Sequence, residues 1–315
     1  MEKVRPFVKW AGGKGSLIEQ LTKYYPLDIK NGTIDTYIEP FVGGGAVLLD
    51  VLQNYNIKKA YAFDINKDLI NCYNVIQSNP IELIYKLKTK ENEFLLLSME
   101  DRQSYFYKIR NKYNECTSND DIERASQFIF LNRTCFNGLY RVNSKGEFNV
   151  PCGKYKNPTI CDETNIMNLS KLIKNVKFIY GQYTESEKYI NEKTFMYFDP
   201  PYRPIKKTSG FTSYTKDQFN DNDQINLSKF YRKLSDKGVC VMLSNSDPKN
   251  TNPDDNFFDN IYAGFNINTI NAKRMINADS KGRGAISELV ITNYENMESN
   301  GCIKENSFMK IAVSN

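Results

Sequence analysis

Histidine does not occur anywhere in the 315 residues. Its absence excludes a Ser-His-Asp triad, a histidine general base and any imidazole metal ligand. Whatever chemistry the chain performs must run on carboxylates, tyrosine, lysine, cysteine or backbone groups. Cysteine is sparse, with seven residues and no Cys-x-x-Cys pair. An odd, scattered set of thiols argues against a disulfide framework and for a reducing compartment. No run approaches the roughly 20 apolar residues that cross a bilayer. Met1 to Trp10 carries charges where a secretory signal would need an apolar core. The expectation is a soluble, cytoplasmic protein.

What is present compensates for a hydrophobic fraction of only 40%: 19 phenylalanines and 21 tyrosines supply enough apolar material for a core. A chain of 315 residues suggests one large α/β domain with a sizeable insertion, or two domains. The net charge of +5 permits a polyanionic partner without demanding one.

The hydrophobic pattern alternates between strand and helix. Thr36 to Phe41 reads as a short strand, Gly43-Gly44-Gly45 as a turn, and Ala46 to Leu52 as an apolar helix. The next strand, Lys59 to Ile65, carries Asp64 near its end, so about thirty residues make one βαβ unit. Pro80 begins an amphipathic helix and Arg124 to Leu131 forms another. Asn132 to Pro158 is rich in Gly, Asn and basic residues and reads as a surface hairpin or loop module. Strands return at Val176–Tyr180, Thr194–Phe198, Gly238–Leu243 and Glu288–Asn293, with a helix over Gln218–Leu234. The alternation predicts a mostly parallel α/β sheet interrupted by an inserted module.

Two segments suggest ligand chemistry. In Glu39-Pro-Phe-Val-Gly-Gly-Gly45, a glycine turn between strand and helix lets a ligand approach the backbone. An acid about 20 residues on, here Asp64, can take ribose hydroxyls. The third glycine of the dinucleotide fingerprint is missing at Leu48. The segment therefore points to an adenosine-containing cofactor without choosing between NAD and S-adenosylmethionine. Lys9 to Ser16 imitates a phosphate loop, but Val8 and Gly15 break the Walker pattern and exclude a nucleoside triphosphatase.

Asp199-Pro-Pro-Tyr202 is the sharpest signal. It follows a strand at the carboxyl end, where open α/β sheets place ligands. Two prolines fix the backbone and remove two N–H donors, leaving carbonyls free to accept. One carboxylate oxygen and one carbonyl are what an amine needs to orient both of its hydrogens, and Tyr202 can stack on a base.

Five motifs in order carry a family resemblance: Trp10-Ala-Gly-Gly-Lys14, Glu39-Pro-Phe-Val-Gly-Gly-Gly45, Phe136 to Pro151, Asp199-Pro-Pro-Tyr202 and Phe211-Thr-Ser-Tyr-Thr215. Over roughly Pro6 to Asn293 the chain resembles the Dam-like (D12 class) N6-adenine DNA methyltransferases. The resemblance implies a Rossmann-like methyltransferase fold with an inserted target-recognition module. Residues 1–65 and 175–295 would be catalytic, 66–174 would recognise the target, and 296–315 form a tail. It implies methyl transfer from S-adenosylmethionine, leaving S-adenosylhomocysteine, to a flipped adenine in double-stranded DNA, with no metal.

Asp199, Pro200 and Tyr202 would be catalytic. Trp10, Lys14, Phe41, Gly43, Gly45, Asp64 and Asp199 would bind the cofactor. In the recognition hairpin, Arg141 would read a guanine, Leu139 a thymine methyl, and Phe136 or Asn137 would fill the space beside the flipped base. Asn143 would also contact DNA, with Arg133, Lys145 and Lys154 on phosphates. Asn137 to Asn149 resembles members that methylate GATC. Phe136 departs from relatives with Tyr there, removing a hydroxyl. The resemblance further implies a monomer in the bacterial cytoplasm or nucleoid, with a cognate restriction endonuclease as an eligible partner. An NAD-dependent oxidoreductase leaves Asp199-Pro-Pro-Tyr202 unexplained. The alternatives closer in chemistry are a methyltransferase acting on RNA or a protein amide, and an inactive DNA-binding relative.

Overall fold

A computed structural model describes residues 2–115, 120–203, 219–273 and 285–295. The expected Phe211–Thr215 motif and the 296–315 tail lie outside the described residues. Two single-turn helices, α1 (Ile18–Leu21) and α2 (Leu27–Lys30), lead into β1 (Thr36–Glu39), α3 (Ala46–Asn54) and β2 (Lys59–Asp64). A helical stretch follows: α4 (Lys67–Ser78), α5 (Pro80–Leu96), α6 (Met99–Glu115), α7 (Asp121–Thr134) and α8 (Glu163–Leu172). Then come β3 (Val176–Tyr180), β4 (Thr194–Phe198), α9 (Asp221–Asp236), β5 (Cys240–Ser246), α10 (Phe257–Ile261), β6 (Asn266–Lys273) and β7 (Ala285–Thr292).

The strands form one sheet in the order β3-β2-β1-β4-β5-β7-β6. Neighbours from β3 to β5 are parallel, whereas β7 runs antiparallel to both β5 and β6. The chain passes from β1 outward to β2 and β3, then returns to place β4 on the other side of β1. Such a reversal of strand order opens a crevice at the carboxyl ends of the two central strands, where open α/β sheets bind ligands.

Alternation along the strands explains why both faces are covered. Tyr37, Phe195 and Tyr197 face one apolar cluster with α3, α4 and α7, whereas Ile38, Met196 and Phe198 face a second with α9 and α10. All five residues of β4 are buried, as a central strand sandwiched between helices requires. The first cluster continues without a break into α5, α6 and α8, so the helical stretch shares the sheet's core. Helix starts follow local chemistry: Asn66 caps α4 by accepting the Leu69 N–H, and Asp120 caps α7.

The expected elements appear with small shifts, and local chemistry explains where two of them settle. The expected Gln218–Leu234 helix, whose first residue lies outside the described residues, is α9 (Asp221–Asp236), started by the reciprocal capping box of Asn220 and Asp223. Past the end of α7 at Thr134, the Asn132–Pro158 stretch is a loop with one 3-10 turn (Phe136–Gly138) and two isolated antiparallel bridges, Cys135–Cys152 and Val142–Phe148. Its polar side chains close local turns instead of extending a ladder. Among the described residues, no helix is long and apolar enough to cross a membrane.

Candidate active site

The glycine turn after β1 is shaped by two left-handed residues, Gly43 (φ 46°) and Gly45 (φ 72°). A Cβ on Gly43 would lie 2.8 Å from the Trp10 ring, and one on Gly45 would lie 2.5 Å from the Tyr73 hydroxyl oxygen. Tyr73 in turn donates to the Gly43 carbonyl at 3.0 Å. The turn is therefore glycine for both backbone and space. Gly43→Ala should lower the affinity of the turn for an adenosine-containing ligand by about tenfold or more, since ~1.4 kcal/mol of distortion suffices. Calorimetric titration would check it, and unchanged affinity would show that the turn tolerates a side chain.

Asp64 closes β2 beside this turn. Its Oδ2 accepts the Gly43 N–H at 3.0 Å and its Oδ1 the Asn66 N–H at 2.8 Å. Burial pushes the carboxyl up to about 6 against those donors, which favour the anion. Backbone donors do not use all of the carboxylate's acceptor positions, so it can still accept from a ribose hydroxyl. Ile65, 62% exposed, lies next to it as open apolar surface. These donors and surfaces fit a nucleoside. Phe41, half-buried after β1, stacks on Tyr183 with ring centres 5.5 Å apart.

Trp10 joins two regions. It stacks on Tyr140 at 5.6 Å and Phe128 at 6.5 Å while its ring edge abuts Gly43. The glycine turn and the loop after α7 therefore touch the same indole.

Asp199 stands at the end of β4 and meets Lys14 across 185 residues of chain. Lys14 Nζ lies 2.6 Å from Asp199 Oδ1, with the lysine side chain only 3% exposed. The same ammonium donates to the Tyr202 hydroxyl at 2.7 Å and the Gly12 carbonyl at 3.0 Å. Lys14, expected among the cofactor-binding residues, holds the carboxylate and tyrosine of Asp199-Pro-Pro-Tyr202. Burial pushes the Asp199 carboxyl up and Lys14 pulls it down; burial prevails, so it ends above the usual carboxylate range. Glu39, beneath the site, is pushed up by burial to about 8 despite the 2.6 Å bond donated by Tyr37, and stays largely neutral at neutral pH.

The backbone after Asp199 is also held. Gln224 on α9 donates to the Pro201 carbonyl at 3.1 Å, and Asn245 on β5 donates to Gln224 at 3.2 Å. Among the described residues no donor reaches the Pro200 carbonyl. Sequence reasoning missed Gln224, Asn245 and the carboxylate of Glu288, which accepts from Tyr202 at 2.6 Å. A lone acid heading the apolar run Glu288-Leu-Val-Ile was the available signal.

In the loop after α7, Phe136 is 52% exposed and Asn137 adopts a left-handed φ of 54°. Leu139 packs partly against the core. Arg141 Nε donates to Asn149 Oδ1 at 2.7 Å, and Asn143 closes the 143–147 turn through Glu147 and the Lys145 N–H. Lys145 and Lys154 are exposed. Arg133 is turned the other way: both Nε and Nη2 donate to the Phe7 carbonyl, at 3.1 and 2.8 Å. Phe136, Asn137, Arg141 and Lys145 thus share one loop, whereas Arg133 ties α7 to the N-terminal segment.

Fold and site define an α/β enzyme whose two adjoining sites, a nucleoside-type turn and a buried carboxylate cluster, share one sheet edge. Residues 10–276 match the model of the D12 class N6 adenine-specific DNA methyltransferases. A Type II methyltransferase, M.MjaIII of Methanocaldococcus jannaschii, is 52% identical over 93% of this chain and 100% of its own. The Type II methyltransferase M1.LlaDCHI of Lactococcus lactis subsp. cremoris is 38% identical over 93% and 96%. A DNA adenine methylase of Vibrio cholerae serotype O1 is 34% identical over 92% and 96%. The chain belongs to the D12 class N6 adenine-specific DNA methyltransferase family, and its activity is adenine-specific DNA methylation.

Proposed function

We propose that the protein methylates N6 of an adenine swung out of duplex DNA within GATC, using Asp199 as the catalytic carboxylate. The observation that carries this reading is the juxtaposition of Asp199, held by Lys14 at 2.6 Å, with a glycine turn and ribose-type acid on the same sheet edge. Extrusion of the base is physically required, because N6 is engaged in pairing inside the helix.

S-adenosylmethionine, when bound, supplies a methyl group already activated on a sulfonium. Gly43, Gly45 and Asp64 would hold its nucleoside, with Phe41 and Trp10 as apolar walls. Asp199 would accept one N6 hydrogen and the Pro200 carbonyl the other, turning the nitrogen lone pair toward the methyl. As N6 gains positive charge, the Asp199 carboxylate stabilises it and receives the proton that the product amine sheds. Tyr202 would lie against the base, and Lys14 keeps Asp199 ionised and oriented.

Residues 66–174 would supply target recognition on a catalytic unit of 1–65 and 175–295. Arg141, Leu139, Phe136, Asn137 and Asn143 would act near the bases and Lys145 and Lys154 on phosphates, with Arg133 helping by anchoring Phe7. GATC is supported by the resemblance of Asn137–Asn149 to members with that target.

The experiment is expression in a host lacking adenine methylation, beside Asp199→Ala, followed by mapping of methyladenine in host DNA. Methylation confined to GATC and absent in the variant is expected. A different motif would refute the target while sparing the chemistry. No methyladenine from soluble protein would refute duplex DNA as substrate.

A further inference from the structure

We infer that Glu288 is a positioning residue of the methyl-transfer centre: it fixes the Tyr202 hydroxyl and leaves the Lys14–Asp199–Glu288 cluster with one net negative charge. The inference rests on the reading of Asp199 as the catalytic carboxylate.

Proton counting sets the direction of the network. The three hydrogens of the Lys14 ammonium go to the Gly12 carbonyl, the Tyr202 oxygen and Asp199 Oδ1. Because Tyr202 accepts from Lys14, its own hydrogen is free to donate, and it donates to Glu288 Oε2 at 2.6 Å. Glu288 also lies 3.8 Å from Lys14 Nζ, close enough for charge interaction and too far for a direct hydrogen bond. Its register explains its presence at this edge: it pairs with Ser246 at the carboxyl end of β5.

Charge counting gives the cluster its purpose. Lys14 and Asp199 together carry no net charge, so the ammonium offsets part of the pull of the carboxylate on the positive charge arriving on N6. Glu288 restores one negative charge in a place where its side chain is only 13% exposed, so the field is poorly screened. Tyr197 and Tyr202, also close to Asp199, stay neutral because burial pushes both phenols up. Glu39 likewise contributes little charge at neutral pH. An acid heading the buried run Leu289-Val-Ile291 is costly to place, and a neutral acceptor would serve the tyrosine equally well. The carboxylate therefore points to an electrostatic role.

The test compares wild type, Glu288→Gln, Glu288→Asp and Asp199→Asn as full-length proteins in single-turnover methylation of a duplex carrying the target adenine. Glu288→Gln keeps an acceptor for Tyr202 and removes the charge. Its rate should fall about 10- to 100-fold, with S-adenosylmethionine affinity and unfolding temperature unchanged. Glu288 raises the Asp199 carboxyl, so its loss should move the acid limb of the rate profile to lower pH. Glu288→Asp retains the charge and should recover part of the rate. A wild-type rate and unmoved acid limb in Glu288→Gln, with Asp199→Asn inactive, would overturn this inference alone. So would Glu288→Asp no faster than Glu288→Gln. A rate within about tenfold of wild type in Asp199→Asn would overturn the reading beneath it.

Discussion

Asp199→Asn is expected to lower the single-turnover rate by about three orders of magnitude, the size seen when one group aimed at developing charge is removed. Asparagine preserves shape and one acceptor oxygen, so geometry survives and charge does not. Lys14, 3% exposed and formerly 2.6 Å from a carboxylate, is then left with Glu288 at 3.8 Å as its counter-ion. Rapid-quench measurement of methyl incorporation checks the rate, and calorimetry checks that cofactor still binds. A rate within tenfold of wild type would show that orientation alone suffices and that the carboxylate's charge is incidental.

Lys14→Gln should be as damaging to activity and more damaging to the fold. Removing one member of a buried ion pair costs about 3–5 kcal/mol, chiefly from the uncompensated partner. Here two carboxylates, Asp199 and Glu288, would face one another without the ammonium between them. Lys14 holds the Asp199 carboxyl down against burial, so without it that group rises further. The reactive, ionised form should then be populated only at higher pH, and the acid limb of the rate profile should shift upward. Stability should move the opposite way. An acid whose folded pKa lies above its unfolded value stabilises the fold fully below the unfolded pKa and ceases to do so as pH rises through the folded one. The variant should therefore lose most stability as pH rises through the folded pKa of Asp199, the same rise that partly restores its chemistry. Rate profiles and urea unfolding at several pH values check both directions. An unmoved acid limb would show that Lys14 does not control Asp199.

The sequence made local features legible and left long-range ones hidden. Strand β4, with every residue apolar or aromatic after Thr194, announces a buried central strand, and Asp199-Pro-Pro-Tyr202 follows it directly. The glycine turn between β1 and α3 was equally clear, since three glycines and an acid at Asp64 have few other uses. Strand β6 escaped notice because Asn266, Asn268 and Asn271 interrupt its apolar residues. Among its described side chains only Ile270 and Ala272 are buried. Helix α6 was submerged in a polar stretch because it buries just Phe106, Ile109 and Tyr113. Lys14 was legible as a cation in a glycine-rich turn, but its partners lie 185 and 274 positions away. No periodicity connects such positions. Glu288 and Gln224 went unrecognised for the same reason: each has an ordinary place in its own strand or helix, and only the folded sheet edge brings them to the site.

Trp10 is the chain's sole tryptophan, and it is stacked on Tyr140 while pressed against Gly43. The enzyme therefore carries a single indole fluorophore at the seam between its glycine turn and the loop after α7. Its emission colour and lifetime follow the polarity and motion of that seam alone, unmixed with signal from other indoles. Any ligand that changes the packing of that seam would register in this emission, in real time and without a label.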